Sequence, residues 1–209
     1  MVVRRGLSDR GTDSRRGRGI EGVTDALLIV DGSGLSICLN RPERGWRIDY
    51  RKLRLALERE TARTILDSDY YGSFVDRGMT QREPFLRYLR SCGFRVDLVA
   101  LGPRIDGRVP IEKGVDAKIV IAATNAAREG RDVVLVSHDA DFCPALLEVR
   151  RLGRVTFVAG FKREMSMDLA RTADRWIRLE DLAGEIRVFE SSLEAPPSRP
   201  IGPDGGAAL

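Results

Sequence analysis

Residues that bind soft metals are scarce in this sequence. There is one histidine, His138, and the three cysteines, Cys38, Cys92 and Cys143, lie far apart without a CxxC pair. Because a structural zinc site needs four such ligands at characteristic spacings, the sequence argues against one. A single histidine also gives little basis for a Ser-His-Asp nucleophile system. The odd number of distant cysteines favours reduced thiols, and we therefore expect a cytoplasmic protein.

Long apolar runs are also missing. No stretch approaches the roughly 18 residues that would predict a membrane-spanning helix. The basic N-terminus is not followed by the apolar segment of a secretory signal. We therefore expect no membrane association. The 209 residues, of which 43% are hydrophobic, suit one domain with a proper core.

Composition divides the chain into three parts. Residues 1–23 are rich in arginine, glycine and serine and predict a disordered basic arm, and residues 191–209 predict a disordered tail rich in proline and glycine. Residues 24–190 form the expected folded domain. The net charge of +4 is modest, but much of it comes from arginine, which suits phosphate recognition. A nucleic-acid partner is therefore permitted.

Strand and helix patterns alternate along the domain. The pattern predicts strands at 26–30, 64–76, 94–101, 132–136, 154–159 and 176–179, with helices at 49–60, 81–91, 115–128, 142–151 and 167–171. Residues 35–46 are expected to form a loop. Such alternation is typical of a doubly wound α/β fold with a mostly parallel central sheet and helices on both faces.

Aspartates follow two of the buried strands. Asp31 comes directly after the first, and Asp139 and Asp141 follow the fourth. Asp116 lies in the first turn of the helix at 115–128. Three of them also have a structural explanation, because one of Asp139 and Asp141 could cap a helix while the other is solvated, and the helix dipole favours a carboxylate at Asp116. If the first and fourth strands are neighbours, the four carboxylates instead converge at one sheet edge. Oxygen ligands of this kind suit Mg²⁺ or Mn²⁺.

Five motifs together resemble the NYN domain, a branch of the PIN-like nuclease superfamily that includes LabA-like proteins. They are LLIVDGSG, KGVDAKIVIAA, VLVSHDADFCPAL, LGRVTFVAG and TADRWIRLEDL, spread over about residues 25–180. The resemblance implies a PIN-like Rossmannoid three-layer α/β/α fold and metal-dependent hydrolysis of RNA, with single-stranded RNA as the expected substrate. It also implies that Asp31, Asp116, Asp139 and Asp141 hold Mg²⁺ or Mn²⁺ and are catalytic.

The resemblance extends to residues around the acidic site. Lys113 and Ser137 match family positions that line the pocket, and Ser33 is also expected to contact the substrate. The chain departs from the family at Gly34, where asparagine is usual, and at His138, where glycine is frequent. We expect the missing asparagine to weaken catalysis more than RNA affinity. On that view Gly34→Asn should speed cleavage.

Alternatives to the nuclease remain open. The domain could instead be a catalytically weak RNA-binding or regulatory module. A haloacid-dehalogenase-like phosphatase is disfavoured because Ser33 stands where a second aspartate is required, and a von Willebrand-type metal site because Leu35 stands where serine is required. Arg104 and Arg108 precede the Asp116 helix and are expected to contact RNA phosphates, although a solvated basic loop explains them equally well. A homo-oligomer is also left open.

Overall fold

The computed structural model describes residues 24–41, 46–75, 79–101 and 114–189. The strands are Asp25–Asp31 (β1), Trp46–Ile48 (β2), Thr64–Val75 (β3), Phe94–Leu101 (β4), Asp132–Val136 (β5), Thr156–Gly160 (β6), Arg175–Arg178 (β7) and Arg187–Phe189 (β8). The helices are Gly32–Leu39 (α1), Tyr50–Thr61 (α2), Met79–Ser91 (α3), Val115–Arg128 (α4), Cys143–Arg151 (α5), Met167–Thr172 (α6) and Ala183–Ile186 (α7). A short 3₁₀ helix spans Ala140–Phe142. The expected arm and tail lie outside the described residues.

A six-stranded parallel sheet forms the centre, in the order β4-β3-β1-β5-β6-β7. Numbered along the chain, its strands run 3-2-1-4-5-6, which is the doubly wound order of nucleotide-binding folds. The chain reverses its direction of winding between β1 and β5. At such a switch point the chain leaves the two strands toward opposite faces of the sheet, and open α/β sheets commonly form a ligand crevice there, at the carboxyl edge. The predicted α/β class is confirmed, and the condition for convergence of the aspartates is met, because the first and fourth strands of the prediction are paired as β1 and β5.

Helices cover both faces of the sheet. On one face, Ala26, Leu28 and Val30 of β1 pack in a core that includes buried residues of α1, α2, α3 and α7. On the other face, Leu27 and Ile29 pack with buried residues of α4, α5 and α6. Alternation of side chains along β1 produces this division. The result is the three-layer arrangement that the sequence predicted.

The expected loop at 35–46 is wrong over its first part. Helix α1 begins directly after β1, with Asp31 as its N-cap and the Gly34 backbone N–H as the donor. Leu35 and Cys38, three residues apart, are buried beneath it. This spacing after an aspartate is itself a helix signal, which the two glycines obscured. The short antiparallel pair β2–β8 and helix α7 were also not predicted.

Strand β3 continues through the polar residues that interrupt its apolar pattern. The side chain of Asp69 is only 3% exposed and is held by two hydrogen bonds of 2.7 Å from Arg95 on β4. Tyr71 donates a third, 3.1 Å long, and burial together with the Asp69 charge raises the pKa of its phenol. The phenol therefore stays protonated as a donor. Asp76, the predicted end of this strand, lies outside the described residues.

A second ion pair with a buried carboxylate lies at the amino edge of the sheet. Asp132, at the start of β5, accepts a 2.6 Å hydrogen bond from Arg63 Nε and a 2.9 Å bond from the Val155 backbone N–H. The Arg63 guanidinium also lies 5.5 Å from the centre of the Phe157 ring. Since the Asp132 side chain is 3% exposed, removing it would leave a partly buried cation and an amide without their acceptor.

We therefore expect Asp132→Ala to lower the free energy of unfolding by about 3 kcal/mol, the usual cost of breaking a buried pair. The matched control is Asp97→Ala, which removes the exposed partner of Lys118 and should cost under about 1 kcal/mol. Urea unfolding of both variants measures the difference. Equal losses would contradict this role for Asp132.

Candidate functional site

Asp31 lies at the switch point, where β1 ends and α1 begins. Asp31 is 6% exposed, and both of its carboxylate oxygens accept hydrogen bonds. Oδ1 accepts from the Gly34 backbone N–H at 2.9 Å, and Oδ2 accepts from the Ser137 hydroxyl at 2.8 Å. The first bond caps α1, and the second crosses to the segment after β5. One carboxylate therefore joins the two central strands at their carboxyl ends.

Ser137 connects Asp31 to the second acidic position. Its hydroxyl donates to Asp31 and accepts from the Asp139 backbone N–H at 3.3 Å. Ser137 is fully buried, so in this structure its hydroxyl acts on two site residues rather than facing solvent. Direct contact between Ser137 and a substrate stays a prediction.

Asp139 and Asp141 follow β5 in an exposed turn. Asp139 is the N-cap of the 3₁₀ helix, and its Oδ1 accepts a 2.9 Å hydrogen bond from the Asp141 backbone N–H. Neither aspartate caps α5 itself, whose N-cap is Phe142 without a side-chain cap, so Asp139 caps only the short 3₁₀ helix that precedes it. The bond occupies one lone pair of Oδ1. The exposed carboxylates thus retain oxygen lone pairs at the crevice for a ligand.

Asp116 reaches the same edge of the sheet by another route. It is exposed in the first turn of α4, next to the positive end of the helix dipole. Gly114, with φ of +92°, precedes the helix in the left-handed region that glycine adopts without strain. Since α4 lies between two parallel strands and its last turn leads into the amino end of β5, its first turn lies at the carboxyl edge of the sheet.

The predicted substrate-binding residues have different outcomes. Ser33, in the first turn of α1, accepts a 3.1 Å hydrogen bond from the Ser73 backbone N–H and is half-buried. This bond ties α1 to the end of β3, and contact of Ser33 with substrate stays a prediction. Lys113, Arg104 and Arg108 lie outside the described residues.

The described carboxylates do not form a closed metal cage. Among residues 24–41, 46–75, 79–101 and 114–189, no three His, Cys, Asp or Glu side chains are grouped closely enough to hold a metal ion. The donors are nevertheless chemically suited to a hard cation. Mg²⁺ in enzymes usually keeps several waters and binds through one or two carboxylates and substrate phosphates. Two of these aspartates are therefore suited to binding Mg²⁺ in this way. They are less suited to forming a structural site, which needs four protein ligands.

Comparison with known proteins agrees with this architecture. The NYN domain model matches residues 26–180. The chain belongs to the NYN domain family. Its fold is thus PIN-like and nuclease-like, while membership of the LabA-like branch stays a prediction.

Other comparisons concern the fold alone. A solved protein of unknown function from Vibrio parahaemolyticus is similar, with a TM-score of 0.62 and 21% identity. The match covers 79% of this chain and 97% of that one. No curated protein matches. In the part of the chain that the structure describes, no helix is long and apolar enough to cross a bilayer.

Gly34, the first departure from the NYN pattern, leaves space that Asp31 occupies. A Cβ atom at position 34 would overlap Asp31 Oδ2 and lie 3.1 Å from Asp31 Cγ. The carboxylate could not yield easily, because Ser137 and the Gly34 N–H both hold it. The expectation that asparagine at position 34 speeds cleavage conflicts with this overlap. For this chain we therefore expect Gly34→Asn to displace Asp31 and not to speed cleavage.

His138, the second departure, has a defined role that the sequence did not reveal. Its Nε2 accepts a 2.8 Å hydrogen bond from the Phe161 backbone N–H. Because a backbone N–H only donates, Nε2 carries no proton, and the neutral ring carries it on Nδ1. Nδ1 then faces Cys38 Sγ at 3.6 Å. His138 thus joins α1, the turn before Asp139 and the segment after β6.

Gly34→Ala tests whether Asp31 depends on the missing side chain. Alanine favours a helix over glycine by about 0.5–1 kcal/mol, but at position 34 we expect a net loss of about 1–2 kcal/mol as the buried carboxylate loses its donors. Gly184→Ala is the matched control, since nothing lies within 4 Å of a Cβ there. Thermal unfolding measures both variants.

The same measurement in a Ser137→Ala background completes the test. The destabilisation by Gly34→Ala should shrink there, because neighbours that share a hydrogen bond are not additive. Full additivity, or a Gly34→Ala variant as stable as Gly184→Ala, would disprove the dependence.

Proposed function

We propose that this chain is a Mg²⁺- or Mn²⁺-dependent ribonuclease that hydrolyses phosphodiester bonds in single-stranded RNA. The observation that carries the proposal is the hydrogen-bonded link from Asp31 through Ser137 to Asp139 at the switch point of an NYN fold. A buried carboxylate with two fixed donors costs little further reorganisation when it meets a cation. Such preorganisation is what electrostatic catalysis requires.

Asp31, Asp116, Asp139 and Asp141 are the proposed ligands, of which a pair would bind an ion directly, with waters and a substrate phosphate as its other ligands. When bound, a divalent metal lowers the pKa of a water and stabilises the leaving oxygen. The chain's own contribution is orientation. Ser137 fixes the buried carboxylate of Asp31, while the 3₁₀ turn fixes Asp139 through the Asp141 backbone N–H. Because Asp116, Asp139 and Asp141 are exposed, a polymer as large as RNA can reach them from solvent.

A catalytically weak RNA-binding module is the second candidate. It is favoured by the lack of a group of three potential ligands among the described residues. The two candidates differ in what the metal does. A ribonuclease needs it for bond cleavage, whereas the module would bind RNA equally well in EDTA.

Cleavage of labelled single-stranded RNA in Mn²⁺ decides between them. We expect slow cleavage that stops in EDTA and falls at least about 100-fold in Asp139→Asn, a loss typical of a removed transition-state contact. Asp97→Asn is the matched control, because the same change falls at an exposed carboxylate on β4. If wild type and Asp139→Asn cleave equally slowly while both bind RNA, the module replaces the nuclease.

Metal binding has a readout that needs no activity. Mn²⁺ at about 100 times its Kd should stabilise the protein by about 2.7 kcal/mol, which is roughly 5–11 °C in Tm for a domain of this size. Asp139→Asn should remove the rise, and Asp97→Asn should keep it. An unchanged rise in Asp139→Asn would refute the assignment of this ligand.

The cations outside the described residues give a further test. If Arg104 and Arg108 contact phosphates, their double alanine variant should lower the slope of log affinity against log salt by about 0.7 for each lost contact. Fluorescence anisotropy with an RNA oligonucleotide measures the slope. An unaltered slope would favour the solvated loop.

A further inference from the structure

Two exposed cations lie next to the acidic turn, on the segment that follows β6. We call residues 161–166 the basic loop, after Lys162 and Arg163, which are both exposed. The next residue, Glu164, points inward, with a side chain 6% exposed and an oxygen 3.1 Å from Arg41 Nε. The loop therefore presents positive charge to solvent and turns its acid inward.

His138 holds this loop at both ends. At the beginning, the Phe161 backbone N–H donates to the ring at Nε2, and the two rings stack with an interplanar angle of 6°. At the end, the Ser166 backbone N–H donates to the His138 carbonyl oxygen at 3.1 Å. One residue thus anchors the loop through its side chain and its main chain together.

Other contacts also fix the loop. The Glu164 and Met165 backbone N–H groups donate to the Phe161 carbonyl at 3.2 and 3.0 Å, and the Lys162 backbone N–H donates to Glu180 at 2.9 Å. A loop whose backbone is held in this way need not lose backbone entropy on binding, so only the side chains have to be ordered. The Lys162 and Arg163 side chains are thus mounted on a rigid support.

The support is in direct contact with the candidate site. Strand β6 pairs with β5 through Ala159 and Val136, so the two strands end side by side. A Cβ atom at Gly160 would lie only 3.0 Å from the Ser137 carbonyl oxygen. His138 itself immediately precedes Asp139. The cations are therefore on the segment adjoining the acidic turn.

We infer that the basic loop binds the phosphates of single-stranded RNA beside the scissile bond, and that His138 is the positioning residue that holds it there. This rests on the proposed function. The four aspartates repel a polyanion, so a strand needs fixed positive charge nearby to approach them. Lys162 and Arg163 supply it on the β6 side of the crevice, whereas Arg104 and Arg108 would supply it from the segment before α4.

The charge test uses Lys162→Ala with Arg163→Ala in an Asp139→Asn background, so that RNA is bound without cleavage. Two lost contacts should lower the slope of log affinity against log salt by about 1.4, at about 0.7 each. The control, Arg128→Ala with Arg171→Ala, makes the same change in net charge. Both of its residues lie in the last turns of helices, at the opposite edge of the sheet.

The positioning test uses His138→Gly and His138→Gln in the same background. Glycine is frequent at this position in the family, so the fold should tolerate it. We expect His138→Gly to weaken RNA binding several-fold and to speed amide hydrogen exchange at Phe161, whose acceptor is the ring, more than at Ser166, whose acceptor is the main-chain carbonyl that glycine keeps. Glutamine can place an acceptor near the position of Nε2, and His138→Gln should restore affinity and Phe161 protection. If His138 only stabilised the fold, His138→Gly would lower the free energy of unfolding. The slope of log RNA affinity against log salt would then stay unchanged.

The outcomes separate the two ideas. RNA binding with an unaltered slope in the Lys162→Ala, Arg163→Ala variant would overturn the inference and leave the proposed ribonuclease intact. No RNA binding by the unchanged chain would overturn the proposed function itself. Affinity and exchange in His138→Gly equal to those of the unchanged chain would overturn the role of His138.

Discussion

The hydrogen bonds around the Asp31 carboxylate hold together the two central strands on which the candidate site depends. They join the end of β1 to the start of α1 through Gly34 and reach the segment after β5 through Ser137. These strands lie on either side of the point where the sheet reverses its winding. A buried anion is costly unless its oxygens are satisfied, so the surrounding residues must supply the donors. The geometry of the crevice follows from that requirement.

Charged residues are buried elsewhere in the sheet too, but they serve a different purpose. Asp69 with Arg95 and Asp132 with Arg63 are carboxylates matched to guanidinium groups through short hydrogen bonds. Such pairs fix register and close strand edges, and a cation already fills the place that a ligand would take. Asp139 and Asp141 lie exposed instead. Burial beside arginine thus separates the structural aspartates from those at the candidate site.

The sequence predicted the sheet well because its strands are buried on both faces and read as short apolar runs. Asp31, Asp139 and Asp141 were placed at one edge because parallel strands end together. It failed where local signals conflict, as in α1, whose two glycines resemble a loop although Asp31 caps a helix. It also gave no access to contacts between distant segments. The pairing of His138 with Phe161 and the space beside Gly34 depend on packing between segments, which local sequence patterns do not encode.

The dual role of Asp31 affects how genetic data on this protein should be interpreted. The same side chain offers negative charge to the crevice and ends a strand by capping the helix that follows. A screen that scores only loss of the proposed activity would not distinguish the two possible roles of Asp31, because an Asp31 variant also loses a link between two central strands. Part of its phenotype would then come from lower protein abundance in the cell, because small losses of stability reduce steady-state levels. Positions on the exposed turn are better suited to separating chemistry from folding.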